Sequence, residues 1–263
     1  MSTTPLRQKQ ARQLLDHSLV SRGNAFAIHY ACEGFDVPHP RATSIAVRSL
    51  GTNQTHSFSL SNEANNGSIN LGDADIDVLD TLEAAMLAKF FAFVAAHQNH
   101  HWLHWNMRDD KFGFKALENR FLRLGGTPAT IPDDHKVDLA VLMFELYGDR
   151  YAAAKPGRLS NLARANGLTM TDFLEGAEQG LALGRKDFAA VHRSTLRKSD
   201  LLATIATLAH SRRLRTDAPF WDRFGRSASA IANYVAQHPA FALIIGAATL
   251  LGLWFTLNPL GRP

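Results

Sequence analysis

The amino-acid sequence predicts an α/β fold in which a mixed β-sheet is flanked by helices. Three short apolar segments lie near the beginning of the chain, at residues 24–32, 42–50 and 55–60, and have the composition of β-strands. A fourth apolar segment, at residues 101–105, leads through a polar turn into residues with helical spacing. An antiparallel meander followed by strand–helix units predicts the mixed sheet.

The first part of the chain is predicted to contain the antiparallel strands. Residues 5–20 form either a short helix or a loose arm, and residues 24–32 form a buried strand. Residues 42–50 and 55–60 alternate with period two on either side of Gly51-Thr-Asn-Gln. This arrangement predicts a hairpin.

The middle of the chain is predicted to change from strands to helices. Residues 61–76 are rich in Asn, Ser, Gly and Asp and are expected to be a long surface loop. A strong helix is expected to begin at Asp77 or Asp80 and to end at residue 97. After the fourth strand, further helices are predicted around Phe114, Leu117 and Phe121, and at residues 136–147, 158–166, 172–183 and 188–210.

Composition limits the class of protein. The chain has 263 residues, 46% of them hydrophobic, which is enough for one sizeable domain and an appendage. The net charge of +4 permits contact with nucleic acid or an anionic membrane without requiring either. The single cysteine, Cys32, excludes an internal disulfide framework and fits a reducing compartment. Residues 1–23 are polar and lack the apolar region of a secretory signal.

Near the carboxyl end, 18 uncharged residues at 240–257 predict a transmembrane helix over residues 239–258. The alternative for such a sequence is a buried helix of the protein core. Arginines are frequent before this segment, and only Arg262 follows it, so the positive-inside rule places the main domain in the cytoplasm. The expected organisation is an arm or short helix (1–23), a domain (24–211), a basic amphipathic juxtamembrane segment (212–238), the anchor, and a short tail (259–263). We therefore expect a single-pass protein of a bacterial inner membrane that contacts lipid through residues 212–257.

Small residues four apart in the predicted anchor favour self-association. Ala242 and Gly246 form one such pair, and Ala248 and Gly252 form another. Small side chains allow transmembrane helices to approach closely. A homo-oligomer formed through this segment is therefore a possible assembly.

The residues from His101 to Arg120 carry the motif on which the family resemblance depends. A strand ends near His104 and Asn106, Phe112-Gly113 follows a short loop, and the next helix carries Leu117 and Arg120. This pattern resembles the second motif of the proofreading-type 3′–5′ exonucleases of the ribonuclease H-like superfamily. The resemblance covers about residues 24–210 and implies a ribonuclease H-like mixed sheet.

The resemblance also implies two-metal hydrolysis of phosphodiesters, which requires several carboxylates around divalent ions. In the family these are Asp-x-Glu on the first strand, the Asp of the second motif, and a late Asp in a His-x-x-x-x-Asp helix motif. Aligning Gly34 and Asp36 on the first motif places its two carboxylate positions on His29 and Ala31. The second motif places its aspartate on Gly113, and His192 to Arg197 matches the late motif with Arg197 in the final place. On this alignment the chain lacks the standard mechanism, so the expected protein is a degenerate exonuclease-like domain with no cofactor.

An alternative is an active nuclease whose ligands have moved. The residues available near the same sheet edge are Glu33, Asp36, Asp109, Asp110, His29 and His104. Such a set would hold Mg²⁺ or Mn²⁺, or Zn²⁺ if the histidines contribute. The competing interpretation is that Asp109 and Asp110 are solvated turn residues that cap the next helix, and that His29 is a core residue that donates to a carbonyl.

Candidate groups for binding nucleic acid lie on the turn after the fourth strand and on the last helix. They are Asn106, Arg108, Arg193, Arg197 and Lys198. The expected function is recognition of a nucleic acid, a nucleotide or a protein partner at the cytoplasmic face of the membrane. A membrane effector or scaffold that acts through its anchor is the remaining alternative.

Overall fold

A five-stranded mixed sheet lies at the centre of the structure, a computed structural model that describes residues 4–34 and 39–218. The strands are β1 (Ala25–Cys32), β2 (Ala42–Ser49), β3 (Thr55–Ser59), β4 (His101–His104) and β5 (Lys136–Asp138). The helices are α1 (Pro5–Leu19), α2 (Leu60–Asn66), α3 (Ile76–Ala96), α4 (Phe114–Arg123), α5 (Leu139–Tyr147), α6 (Arg158–Ala165), α7 (Gly176–Gly184) and α8 (Phe188–His210). The predicted α/β class is confirmed.

The strand order is β3-β2-β1-β4-β5. Strands β1, β2 and β3 form an antiparallel meander, in which His29 of β1 lies opposite Ala46 of β2. Strand β4 pairs in parallel with β1, and β5 pairs in parallel with β4, with His104 opposite Asp138. Because β1, β4 and β5 are parallel, their carboxyl ends meet at one edge of the sheet.

Side chains alternate between the two faces of β1, and each face has its own core. Ala25 and Ala27 pack with residues of α1, α5 and α8. Phe26, Ile28 and Tyr30 pack with residues of α3 and α4. The sheet is therefore covered on both faces, and its carboxyl edge is left to form a site.

Several predicted elements have different bounds in the structure. Residues 136–138, predicted as the start of a helix, form β5 because they pair with β4, and Asp138 then caps α5. Residues 60–66, predicted mainly as loop, form α2, which Ser59 caps by accepting a hydrogen bond from the Asn62 N–H. Helix α7 begins four residues later than predicted. Residues 5–20, for which two interpretations were open, form α1, with Thr4 as its cap and Pro5 in its first turn.

A network of buried charges joins helices α3 and α4 to the start of β2. Glu83 is fully buried and accepts hydrogen bonds from the Ala42 N–H at 2.7 Å and from Arg120 Nε at 2.7 Å. Arg120 and Arg41 both contact Asp80, and Arg41 also contacts Glu33 at 2.6 Å. This network fixes the end of β1 and the start of β2 beside the carboxyl edge.

Among the described residues, no helix is long and apolar enough to cross a membrane. The predicted anchor at 239–258 and most of the predicted juxtamembrane segment lie outside the described residues.

Candidate functional site

The carboxyl edge of β1, β4 and β5 borders three cavities, and the turn that follows β4 separates them. We call residues 105–108 the edge turn. Asn106 lines a cavity of about 450 Å³ that also contains His29 and Lys198, called here the His29–Lys198 cavity. Asn106 and Arg108 line a cavity of about 570 Å³ beside Tyr151. Arg108 also lines a cavity of about 520 Å³ that His104 and Asp138 border.

Asp138 holds the edge turn in place. Its Oδ1 atom accepts hydrogen bonds from the Ala140 N–H at 2.9 Å and from the Asn106 N–H at 3.3 Å. Arg108 Nε lies 3.2 Å from Asp138 Oδ2, and Arg108 also donates to Asn106 Oδ1 at 2.9 Å. Asn106 has a φ of 55°, in the left-handed region that asparagine tolerates better than most residues. Asp138 thus caps α5 and holds the backbone of the edge turn with the same carboxylate.

Lys198 is the cation that faces the His29–Lys198 cavity from α8. Lys198 is only 8% exposed. Its Nζ atom donates a hydrogen bond to Gln179 Oε1 at 2.8 Å and lies 5.2 Å from the centre of the Phe173 ring. Within the described part of the chain, no carboxylate forms an ion pair with it. Burial lowers the pKa of Lys198 to about 8, although Glu175 and Glu178 oppose this shift. The ammonium is therefore charged at neutral pH, and among the described residues no carboxylate lies within ion-pair distance of it.

His29 also lines this cavity, from strand β1. Burial, and then the charge of Lys198, hold the pKa of His29 well below its usual value of 6.5. The imidazole is therefore neutral at pH 7. Its buried Nδ1 atom has no hydrogen-bond partner among residues 4–34 and 39–218. A buried nitrogen of this kind is available to a ligand.

An aromatic pair forms another wall. The rings of Tyr30 and Phe112 stack with centroids 4.5 Å apart, and both line the cavity. The Gly113 N–H donates to the Tyr30 hydroxyl at 3.0 Å, which ties the loop before α4 to β1. Cys32 also lines the cavity, but burial raises the pKa of its thiol to about 12, so it remains protonated and unreactive.

The four positions aligned with family carboxylates have four different environments. His29 faces the cavity, whereas Ala31 is fully buried against Ala182 of α7 and Val191 of α8. Arg197 donates to the Thr171 carbonyl at 3.0 Å and to Asp200 at 3.0 Å. The side chain of α8 that reaches the cavity is that of Lys198 and not that of Arg197.

Gly113, the fourth of these positions, is closed to any larger residue in this backbone. A Cβ atom placed there would lie 2.8 Å from both the carbonyl carbon and the carbonyl oxygen of Met107. Residues 108 and 113 form a β-bridge that brings the two backbone segments together. The loop would therefore have to open before an aspartate could occupy this position.

The residues proposed as relocated metal ligands do not form one cluster. His29, Glu33 and Asp109 line the same cavity, but Glu33 contacts Arg41, and Asp109 Oδ1 accepts hydrogen bonds from the backbone N–H groups of two residues in its own turn. His104 lines a different cavity, and Asp110 is exposed. Asp36 lies outside the described residues. In the described ranges, no group of three or more His, Cys, Asp or Glu side chains is arranged to hold a metal ion.

The structure divides the candidate nucleic-acid-binding residues into two sets. Asn106 and Arg108 belong to the edge turn, and Lys198 lines the same cavity as Asn106. Arg193 and Arg197 lie on a separate surface, where Arg193 is 3.3 Å from Asp172 and Arg197 is paired with Asp200. The charge on this second surface is thus largely compensated within the protein.

Several residues of the site were not singled out by sequence reasoning. Tyr30, Phe112 and Gln179 line the His29–Lys198 cavity, as do Gly176 and Gly180 of α7. The spacing of the glycines was visible, because Gly176, Gly180 and Gly184 are four residues apart. The spacing alone does not show that the glycines line a cavity, because the sequence does not show which face of α7 borders it.

The site can bind an anion through Lys198, exchange hydrogen bonds through His29 and Asn106, and contact an apolar ring through its aromatic wall. No protein-family model matches the chain, and a search of curated proteins finds no relative.

Proposed function

We propose that the domain is a ribonuclease H-like module that binds single-stranded nucleic acid or a nucleotide at its carboxyl edge without metal-dependent catalysis. The observation that carries the proposal is the buried ammonium of Lys198, which faces the cavity at the end of β1 with no carboxylate paired to it in the described part of the chain. A phosphate oxygen is the ligand that such a cation would bind.

The arrangement of the strands supports the family part of the proposal. An antiparallel meander is followed by β4 and β5, which are parallel to β1, and this is the order that the resemblance implies. In the resembled family, divalent ions contact the phosphates at this edge. In this chain, Lys198 would contact the phosphate directly, and Arg108 and Asn106 would contact the neighbouring unit.

Binding of a labelled oligonucleotide tests the proposal. We expect the full-length chain, purified in mild detergent, to bind a fluorescent single-stranded oligonucleotide in an anisotropy titration. Lys198→Met should weaken binding by about tenfold or more, because it removes a charge-assisted hydrogen bond of about 1.5–3 kcal/mol. Lys9→Met, which removes an exposed lysine of α1, is the matched control and should bind like wild type.

Two results would contradict the proposal. Equal affinity of wild type and Lys198→Met would show that the cavity does not bind the phosphate. Cleavage of the oligonucleotide in Mg²⁺ or Mn²⁺ that is lost in Glu33→Ala or Asp109→Ala would favour the relocated nuclease site instead.

We also propose that residues 239–258 anchor the domain to the inner membrane, with the domain in the cytoplasm, contact to lipid through 212–257 and self-association through the anchor. The support is the uncharged sequence at 240–257 and the arginines before it. The full chain should remain in the membrane pellet after carbonate extraction, whereas a chain ending at residue 238 should be released. Gly246→Leu should reduce crosslinked dimer if the anchor self-associates.

A further inference from the structure

Helix α7 presents bare backbone to the His29–Lys198 cavity. The residues of α7 that line the cavity are Gly176, Gln179, Gly180 and Leu183, which share one face of the helix at positions i, i+3, i+4 and i+7. We call this set the glycine face. A Cβ atom built at Gly176 or Gly180 would meet nothing within 4 Å among the described residues. The glycines are therefore not required by the packing of the protein itself.

Glycine residues within a helix reduce the stability of the folded protein. Each glycine inside a helix is about 0.5–1 kcal/mol less favourable than alanine. Neither Gly176 nor Gly180 has a positive φ, so their backbone conformation does not require glycine. What the two residues provide is open space beside the helix backbone, where a flat group can approach closely.

The other wall of the cavity is aromatic and comes from the opposite face of the sheet. Helix α7 packs on the face of β1 that carries Ala31, because Ala182 contacts Ala31. Tyr30 points to the other face, where its ring stacks with that of Phe112. Because both walls border one cavity at the end of β1, a ligand that enters it lies between the glycine face and the aromatic pair.

The polar groups lie where a nucleotide would need them. Lys198 supplies a positive charge, and among the described residues Gln179 is the one hydrogen-bond acceptor of its ammonium group, which has three protons to donate. The buried Nδ1 atom of His29 has no partner in the described ranges, and Asn106 lies at the junction with the next cavity. The volume of about 450 Å³ is within the range of about 300–1,000 Å³ that is usual for small-ligand sites.

We infer that the His29–Lys198 cavity is a slot for one nucleobase, held between the glycine face of α7 and the Tyr30–Phe112 pair, with the attached phosphate on Lys198. The inference rests on the proposed function and narrows it to a nucleotide unit that is unstacked from its neighbours, as at a strand end or in a free mononucleotide. A base paired in a duplex could not enter a slot enclosed on both sides.

Isothermal titration of the full-length chain with adenosine 5′-monophosphate and with ribose 5-phosphate tests the slot. The two probes share a sugar phosphate, and only the first has a base. We expect wild type to bind adenosine 5′-monophosphate at least tenfold more tightly than ribose 5-phosphate. Gly180→Leu, which fills the slot, should lose at least tenfold in affinity for the first probe and keep its affinity for the second.

Gly184→Leu is the matched control, because Gly184 lies on the same helix, is equally open and does not line the cavity. It should bind both probes like wild type. Leucine is a better helix former than glycine, and the Cβ atom meets no described atom at either position, so the melting temperature of both variants should equal or exceed that of wild type. This measurement separates loss of the slot from loss of the fold.

The possible failures are distinguishable. The inference of a nucleobase slot is wrong if wild type binds the two probes equally, or if Gly180→Leu binds adenosine 5′-monophosphate as wild type does. Neither result would contradict the proposal that Lys198 binds the phosphate of an oligonucleotide. If instead ribose 5-phosphate and the oligonucleotide bind neither wild type nor Lys198→Met, the proposed function itself is wrong.

Discussion

Lys198 and His29 face the same cavity, and the charge of Lys198 adds to the effect of burial in lowering the pKa of His29. Burial lowers the pKa of Lys198 to about 8, while His29 stays neutral because it is buried and close to that ammonium. At neutral pH these two residues therefore supply one positive charge and one neutral imidazole. This combination suits a phosphate and a hydrogen-bonding group on the same ligand.

Binding of a phosphate-bearing ligand should weaken above pH 8. The ammonium form of Lys198 binds the anion, and this form is lost as the pH rises through about 8. Affinity for a single-stranded oligonucleotide should fall by about tenfold between pH 7 and pH 9, since one group then loses its proton. Lys198→Arg keeps its charge throughout this range and should show a nearly flat profile. A wild-type profile that is equally flat would contradict the role given to Lys198.

His104 should make the fold sensitive to acid. Its Nδ1 atom accepts a hydrogen bond from the Met107 N–H, and burial lowers its pKa from 6.5 to about 4. Between these values the unfolded chain binds more protons than the folded chain, so stability is complete above pH 6.5 and is lost as the pH falls toward 4. The loss from this group is on the order of 3 kcal/mol.

His104→Asn offers a test of this effect. The asparagine amide oxygen can accept the same hydrogen bond without titrating. Urea denaturation at pH 7 and pH 5 should show a smaller loss of stability in the variant than in wild type. An equal loss in both would assign the acid sensitivity to the other buried histidines.

At the scale of single residues, the sequence could not show whether Arg197 or Lys198 of α8 faces the site. Arg197 and Lys198 are adjacent, and a shift of one residue in a helix turns a side chain by about 100°. The alignment selected Arg197, whereas the packing of α8 against β1 brings Lys198 to the cavity. The sequence pattern of α8 could not fix this rotation to within one residue.

At the scale of elements, the loop between β4 and α4 is shaped by its closure on Gly113. Its backbone passes so close to Met107 that a Cβ at residue 113 would lie 2.8 Å from backbone atoms. The position aligned with a metal-binding aspartate is thus part of a tight backbone contact. In this backbone the contact leaves no room for an aspartate side chain at residue 113.

Gly113→Ala should therefore destabilise the protein, by about 1–3 kcal/mol for an overpacked buried site. Gly180→Ala, where the added methyl group meets no described atom, should instead stabilise it by about 0.5–1 kcal/mol. The midpoints of urea unfolding measure both changes. Stabilisation by Gly113→Ala would mean that the loop is more open than the structure has it. Gly113→Asp is not expected to create metal-dependent cleavage.

The buried charge network should be more sensitive to loss of one partner than of two. Arg120→Leu leaves Glu83 fully buried with one strong donor fewer, and should cost about 3–5 kcal/mol. Adding Glu83→Leu to that variant should restore part of the stability, because the uncompensated charge is removed. A double variant less stable than Arg120→Leu would contradict this account. Chemical denaturation of the three proteins provides the comparison.

Short elements account for most of the differences between the predicted and observed boundaries. Strand β5 has three residues and α2 has seven, too few to establish a periodic pattern. Both are stabilised by tertiary contacts, since β5 pairs with β4 and the buried Leu60 and Ala64 anchor α2. Long elements such as α8 have several turns of apolar spacing, and its predicted bounds, 188–210, are those observed.

At the scale of the whole molecule, the sequence was sufficient for the α/β class. The polar turn after the fourth strand was also visible in the sequence, and in the structure the edge turn borders three cavities at the carboxyl edge of the sheet. The walls of the cavity were not predictable in the same way. They come from Tyr30, Phe112 and α7, which are distant in sequence and meet only after the sheet and helices have packed.

Divalent ions should be dispensable for binding. The proposed phosphate contact uses the ammonium of Lys198, so an excess of EDTA should leave the affinity for a single-stranded oligonucleotide unchanged. Raising the salt concentration should weaken binding, because counterions compete for the phosphates. Recovery of binding by Mg²⁺ after EDTA treatment would contradict the proposal and would favour a metal site.

The contact between Asp217 and Tyr151 limits the distance over which the domain can act. The Asp217 N–H donates to the Tyr151 carbonyl at 3.0 Å, so the chain passes beside the cavity that Tyr151 lines shortly before residue 219. If residues 239–258 lie in a bilayer, the roughly 20 intervening residues span at most about 70 Å even when fully extended. A nucleic acid held deeper in the cell than that radius would remain out of reach, so the protein would sample only strands that come close to the lipid surface.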